Sequence, residues 1–99
     1  MEFYKLEATG NDFIITILDD VNNLNIKQLC DRHKGIGADG LINIDSYYNV
    51  SFYNADGSNA NMCGNGLRCV SKLLYYLTKK KDNTIYINSK ETHLKQVKD

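Results

Sequence analysis

Apolar and polar residues alternate weakly from Phe3 to Ala8, and a short apolar run broken only by Thr16 extends from Phe13 to Leu18, so both segments are read as β-strands. Thr9-Gly10-Asn11-Asp12 connects them, which puts Asn11 on a turn. Ile26 to Arg32 carries Ile26, Leu29 and Cys30 at helical spacing and predicts a short helix that Asn25 can cap. The segment from Gly35 to Gly40 breaks it. Leu41 to Ile44 and Asn49 to Tyr53 are read as two further strands, the second delivering the chain to Asn54. After Cys63, the residues Leu67, Val70, Leu73, Leu74 and Leu77 recur every three or four positions, with Tyr75 and Tyr76 widening the apolar face. That pattern predicts a helix that must be largely covered. Ile85 and Ile87, then Leu94 and Val97, mark a last pair of strands turning near Ser89 to Glu91.

This order of elements predicts an α+β fold in which a mostly antiparallel sheet wraps one central helix. The chain has 99 residues, no proline, no internal repeat and no low-complexity stretch, so it is read as a single domain, 1–99, with one core.

Charge adds mainly exclusions. Lys plus Arg and Asp plus Glu number 12 each, so no overall field draws in nucleic acid or a membrane surface. The run Lys79-Lys80-Lys81 falls where the long helix should end and complements the negative end of its dipole. No apolar stretch approaches the ~20 residues that a membrane span needs. An odd number of cysteines behind a start that lacks a basic and then an apolar region predicts a reducing compartment, the cytoplasm.

Candidate chemistry gathers between residues 54 and 69. There a loop of small and polar residues gives way to the apolar helix, and Cys63 stands at the junction. The first N–H groups of a helix have no partner inside it and carry the positive end of the macrodipole, so a thiolate or an anionic ligand beside them is stabilised. Gly64 and Gly66 lack a Cβ that would keep a small molecule from those groups. Taken alone, a Cys-Gly pair before a helix more often marks an ordinary half-buried cysteine. The preceding Asn54-Ala55-Asp56-Gly57-Ser58, a second cluster of backbone-bonding residues, favours a site. Cys30 and Cys69 fall on helical faces and are read as core. Gly35-x-Gly37-x-x-Gly40 fits a dinucleotide fingerprint in spelling, but its helix comes before it and its strand after, the reverse of what the fingerprint needs. His33 and His93 are isolated, and Cys63 and Cys69 lack zinc spacing, so no metal is expected.

Three motifs in order resemble those of the diaminopimelate epimerases, amino-acid epimerases that work without pyridoxal phosphate. Thr9-Gly10-Asn11-Asp12-Phe13 is similar to the family's Gly-Asn-Asp-Phe, and Asp31-Arg32-His33-Lys34-Gly35-Ile36-Gly37-Ala38-Asp39 to its Asp-Arg-x-x-Gly-[Ile/Val]-Gly-x-Asp. The third, Asn54-x-Asp-Gly-Ser-x4-Cys63-Gly-Asn-Gly-x-Arg68, resembles the family's active-site signature. Together they span residues 9 to 68.

The resemblance implies that the sheet curves into a barrel-like layer around the helix. It also implies a reaction with no cofactor, the interconversion of LL- and meso-diaminopimelate by two thiols on opposite faces of the α-carbon. Cys63 would be one acid/base, the N–H groups of Gly64 and Asn65 would hold the substrate's α-carboxylate, and Asn11 and Asn54 would bind its polar groups through their amides. Family enzymes consist of two similar halves, each with one catalytic cysteine. This chain resembles the N-terminal half, so the C-terminal half is expected to be missing, and the chain alone is expected to be inactive. A homodimer is expected from the family only. Two alternatives stay open: a related cofactor-independent racemase or isomerase, and a catalytically silent truncated domain. The sequence of a second half would be needed to separate the first, and a second half with another Cys-Gly near a helix start would favour an enzyme over the second.

Overall fold

The computed structural model describes residues 2–96. Its elements run β1 (Tyr4–Ala8), β2 (Asn11–Thr16), α1 (Ile26–Cys30), β3 (Gly40–Ile44), β4 (Val50–Asn54), α2 (Gly64–Thr78), β5 (Asp82–Ile87) and β6 (Lys90–Lys95). Each element foreseen from periodicity is present, with ends shifted by one or two residues; Val97 lies outside the described residues.

β1 and β2 form a hairpin in which Ala8 pairs with Asn11, so Thr9 and Gly10 alone make the turn, at φ 51° and 86°. Two residues with positive φ form the connection that matches the right-handed twist of the strands. Asn11 therefore opens β2 instead of standing on the turn. From β2 the chain crosses over through α1 into β3, which lies parallel to β2, and β4 returns antiparallel. The second sheet is the β5–β6 hairpin, turned at Asn88 and Ser89, both at positive φ.

The four-stranded sheet is covered on both sides, so 13–16 and 41–44 are buried at every position instead of at alternate ones, the polar Thr16 and Asn43 included. Phe13, Ile15, Ile42, Ile44 and Phe52 face α2, meeting Cys69, Val70, Leu73 and Leu74 together with Ile85 of β5. Ile14 and Leu41 point the other way, onto Ile26, Cys30 and Ala38. Full burial of a side chain such as Val70, Leu73 or Leu74 stabilises by about 1.5–3 kcal/mol, so α2 is held by packing more than by propensity. Its last turn is less covered than expected, with Leu77 40% and Tyr76 64% exposed.

Two ends fall short of their predicted positions for local reasons. Asp31 Oδ1 accepts the N–H groups of His33 (2.8 Å) and Lys34 (3.0 Å), turning the chain out of α1 before Arg32. Asn43 Oδ1 accepts the Leu18 N–H (3.1 Å) and the Thr16 hydroxyl (2.7 Å), and its Nδ2 donates to Leu18 O (2.8 Å), so a side chain replaces the ladder where β2 ends.

The expected barrel-like layer is not formed among the described residues. Three pairings are antiparallel and one parallel, as a mostly antiparallel sheet requires, but they make two separate sheets joined by one bridge between Asn49 and Tyr86. Closure needs a continuous ladder of staggered strands, and a single bridge does not supply one. The architecture is a mixed α/β arrangement with two sheets against one main helix. Among the described residues no helix is long and apolar enough to cross a membrane.

Candidate functional site

Cys63 is the N-cap of α2, with extended backbone (φ −127°, ψ 151°) and an exposed thiol. Its Sγ accepts the Gly66 N–H at 3.2 Å, and its carbonyl accepts Leu67 N–H at 3.0 Å. The sulfur thus takes the capping place that serine or aspartate usually fills. The N–H groups of Gly64 and Asn65, ahead of the first helical hydrogen bond, have no acceptor inside the helix.

The two glycines that flank Asn65 do different jobs. A Cβ at Gly64 would meet nothing within 4 Å, and the residue is exposed. At Gly66, which is buried, a Cβ would come 3.0 Å from Phe52 Cε1 and 3.2 Å from Cys63 Sγ. Gly66 is therefore needed for packing, which corrects the expectation that it bares the backbone to a ligand. Its absent side chain lets the thiol fold against the helix.

Asn11 and Asn65, 54 positions apart, are brought into direct contact: Asn65 Nδ2 donates to Asn11 Oδ1 at 2.6 Å. The hairpin tip is tied to α2 a second time by Arg68, whose Nη1 donates to Thr9 Oγ1 at 3.0 Å. Asn54 is placed differently. It ends β4, and its Nδ2 donates to Ser58 Oγ (2.9 Å) and Asn59 O (3.4 Å), so its amide serves the loop that leads toward Cys63. Asp56 Oδ1 holds the same loop through the Ser58 N–H (2.9 Å) and hydroxyl (2.6 Å), and these bonds keep its carboxyl below the usual range.

Behind Asn11 lies a cluster to which the motifs gave no role. Arg32 grips Asp12 with two nitrogens, Nη1 to Oδ2 at 3.1 Å and Nη2 to Oδ1 at 2.9 Å, and Nη2 also reaches Asp39 Oδ1 at 3.1 Å. Lys5 stands 3.4 Å from Asp12 Oδ2. Asp39 Oδ2 accepts both the Asp12 N–H (3.0 Å) and Asn11 Nδ2 (3.3 Å), and the Asp39 N–H returns a bond to Asp12 Oδ1 (3.0 Å). The forked Arg32 pairing outweighs partial burial and holds the Asp12 carboxyl far below the usual carboxylate range. Asp12, Arg32 and Asp39 all lie in the quoted motifs, and opposite charges spaced that way were the available signal. Nothing in the spacing said that they meet.

The other thiols are structural. Cys30 and Cys69 are 4% and 1% exposed. Burial raises Cys30 above its ordinary value, and burial, reinforced by Cys63, pushes Cys69 up to about 11. Neither is a thiolate near neutral pH. Among the described residues no three His, Cys, Asp or Glu side chains are grouped so as to hold a metal ion, and His33 and His93 are both on the surface.

A sequence model of the family described as "Diaminopimelate epimerase" matches residues 3–96. Curated relatives under the same name include one from Rickettsia typhi, 46% identical over 99 residues, and one from Helicobacter pylori, 50% identical over 82 residues. A third, from Campylobacter jejuni, is 43% identical over 93 residues. The matches cover 92%, 76% and 88% of this chain but 37%, 30% and 37% of the respective relatives. The chain therefore spans about a third of the length of these relatives, and by extent and identity of match it belongs to the diaminopimelate epimerase family, a family of isomerases.

Proposed function

We propose that this chain supplies one of the two thiol acid/bases of a diaminopimelate epimerase, with Cys63 as that group. The observation that supports the reading best is the exposed Cys63 thiol at the start of α2, next to the exposed Gly64 and the paired amides of Asn11 and Asn65. The α-proton of an amino acid is a poor acid, because the neighbouring carboxylate resists further negative charge. Removing it without a cofactor calls for donors aimed at the developing enolate-like dianion. In this reading the N–H groups of Gly64 and Asn65, at the positive end of α2, bind the α-carboxylate and stabilise the added charge. The Cys63 thiolate takes the α-proton on one face and a thiol from a second half gives a proton on the other, so atoms and charge balance across the inversion. Asn11 binds a polar group of the substrate beside Asn65, and Asn54 does so from the end of β4 once its loop contacts rearrange.

A relative-length enzyme carries the rest of the cleft, so the 99-residue chain alone turns over no substrate in this proposal. A homodimer and a cytoplasmic setting belong to the same family-based reading. The test follows LL-diaminopimelate in deuterated water, with the chain alone and with residues 1–99 joined to the remaining portion of the Rickettsia typhi relative. Epimer formation by the joined protein, and its loss in Cys63→Ser, is the expected result. Sustained epimerisation by the chain alone would overturn the two-thiol account, and full activity of joined Cys63→Ser would remove Cys63 from its role.

A further inference from the structure

An ionised carboxylate can only accept hydrogen bonds, and that fixes more than its own position. Asp39 is paired with Arg32, and its Oδ2 faces the Asn11 side chain at 3.3 Å, so Asn11 must present its NH2 there and not its carbonyl. The Asn11 Oδ1 is thereby turned toward α2, where it accepts from Asn65 Nδ2 at 2.6 Å. Asn65 in turn has its NH2 committed to Asn11, and among the described residues no group donates to its Oδ1. Asn65 is half-buried at the start of α2, so the direction of its amide is set within the chain.

We propose that Asp39 is a positioning residue whose carboxylate sets the amide of Asn11 and, through it, that of Asn65, leaving Asn65 Oδ1 as an acceptor for the ammonium group of the substrate. The ammonium assignment rests on the function proposed above; the amide relay does not. A helix N-terminus favours anions, so a carbonyl dipole pointing out beside it supplies what a zwitterionic ligand also needs. If Asp39 becomes a neutral amide, Asn11 is free to reverse. Asn65 can then reverse with it and turn N–H groups toward the ammonium position, which repels that group.

Two measurements test this independently. In the 15N-labelled chain itself, one Nδ2 proton of Asn11 and one of Asn65 should exchange slowly with solvent. Asp39→Asn should speed both. Asn11→Ala should speed that of Asn65 while leaving Asp12 N–H protected, because the Arg32–Asp39–Asp12 contacts survive in it; this second variant decides the matter if Asp39→Asn fails to fold. Unchanged Asn65 exchange in the folded variants overturns the relay. In the joined, family-length enzyme, Asp39→Asn should raise KM about ten-fold, the worth of one good hydrogen bond, with kcat changed less than about two-fold. Asp39 acts through Asn65, so the same substitution should have no further effect on KM in an Asn65→Ala background. Equal effects in both backgrounds would mean that Asp39 serves the loop alone and would overturn the positioning role. An enzyme with no epimerase activity at all would overturn the function instead, and the exchange measurement would still decide the relay.

Discussion

Arg68 reaches from α2 to donate to Thr9 Oγ1 at 3.0 Å, and Thr9 is held at φ 51°, a left-handed conformation that a β-branched residue seldom adopts. Left-handed backbone costs a residue other than glycine about 1–2 kcal/mol, so the hairpin tip carries strain that the contact with α2 offsets in part. Thr9→Asn relaxes the backbone but loses the hydroxyl. In the parent chain the relief and the lost bond, each worth about 1 kcal/mol, should nearly cancel. In an Arg68→Ala background the bond is already gone, and Thr9→Asn should stabilise by about 1 kcal/mol, read from urea midpoints of the four chains in the cycle. Additive effects would show that Arg68 does nothing for Thr9.

Asp12 makes a prediction about acid. Arg32 holds its carboxyl far below its unfolded value of ~3.9, so the folded chain keeps Asp12 charged where the unfolded chain would protonate it. That stabilisation is fully present above about pH 5 and is lost as the pH falls through the unfolded value toward the folded one. Asp12→Asn should lower the urea midpoint at pH 7, and the gap to the parent should narrow at pH 3 and narrow further at pH 2. A gap that stays constant from pH 7 to pH 2 would mean that the Arg32 pairing is not coupled to folding.

How far the sequence could be read follows from the range of each interaction. The elements were legible because burial imposes a period on residues that are neighbours in the chain, as for Val70, Leu73 and Leu74 on α2. The place of Cys63 at the head of α2 was legible for the same reason: a loop of small and polar residues ends a few positions before the helical repeat that starts at Leu67. What escaped was set by contacts between distant positions. Asn43 ends β2 by bonding Leu18 across 25 residues, and Asp39 meets Asn11 across 28. Polar side chains such as these show no periodicity, so their partners emerge only when the strands are placed side by side. The open sheet is of the same kind, since strand patterns say which segments pair well but not whether the last pairing closes a ring.

Gly64 and Gly66 can be told apart by one methyl group each. Alanine at either position gains helix propensity, up to about 1 kcal/mol. At Gly66 this competes with a Cβ 3.0 Å from Phe52 and 3.2 Å from the Cys63 sulfur, and overpacking of that kind costs about 1–3 kcal/mol. Gly66→Ala should therefore be destabilising by about 1 kcal/mol and should displace the thiol. Gly64→Ala meets open space and should leave stability within about 0.5 kcal/mol of the parent. In the joined enzyme Gly64→Ala should nevertheless raise KM, because the methyl stands where the substrate carboxylate is proposed to approach. Thermal melts of both variants check the first pair of outcomes and steady-state kinetics the last.

Cys63 should be the first of the three thiols to react in the folded chain. It is exposed at the N-cap, whereas Cys30 and Cys69 are buried, and burial moves both of those further from ionisation. With Cys69 pushed up to about 11, its thiolate fraction at pH 7.5 is on the order of a thousand times below one half, and packing blocks access besides. Iodoacetamide at pH 7.5, followed by peptide mass spectrometry, should modify Cys63 at least about ten-fold faster than either other thiol. In denaturant the three rates should converge, because unfolding removes the shielding and the helix together. Alkylation of Cys63 should also break the Sγ contact with the Gly66 N–H, which native-state amide exchange at Gly66 would register as faster opening of the first turn of α2. If Cys30 or Cys69 keeps pace with Cys63 under native conditions, the packing of α1 and α2 is looser than described, and the case for Cys63 as the reactive sulfur would lose its physical basis.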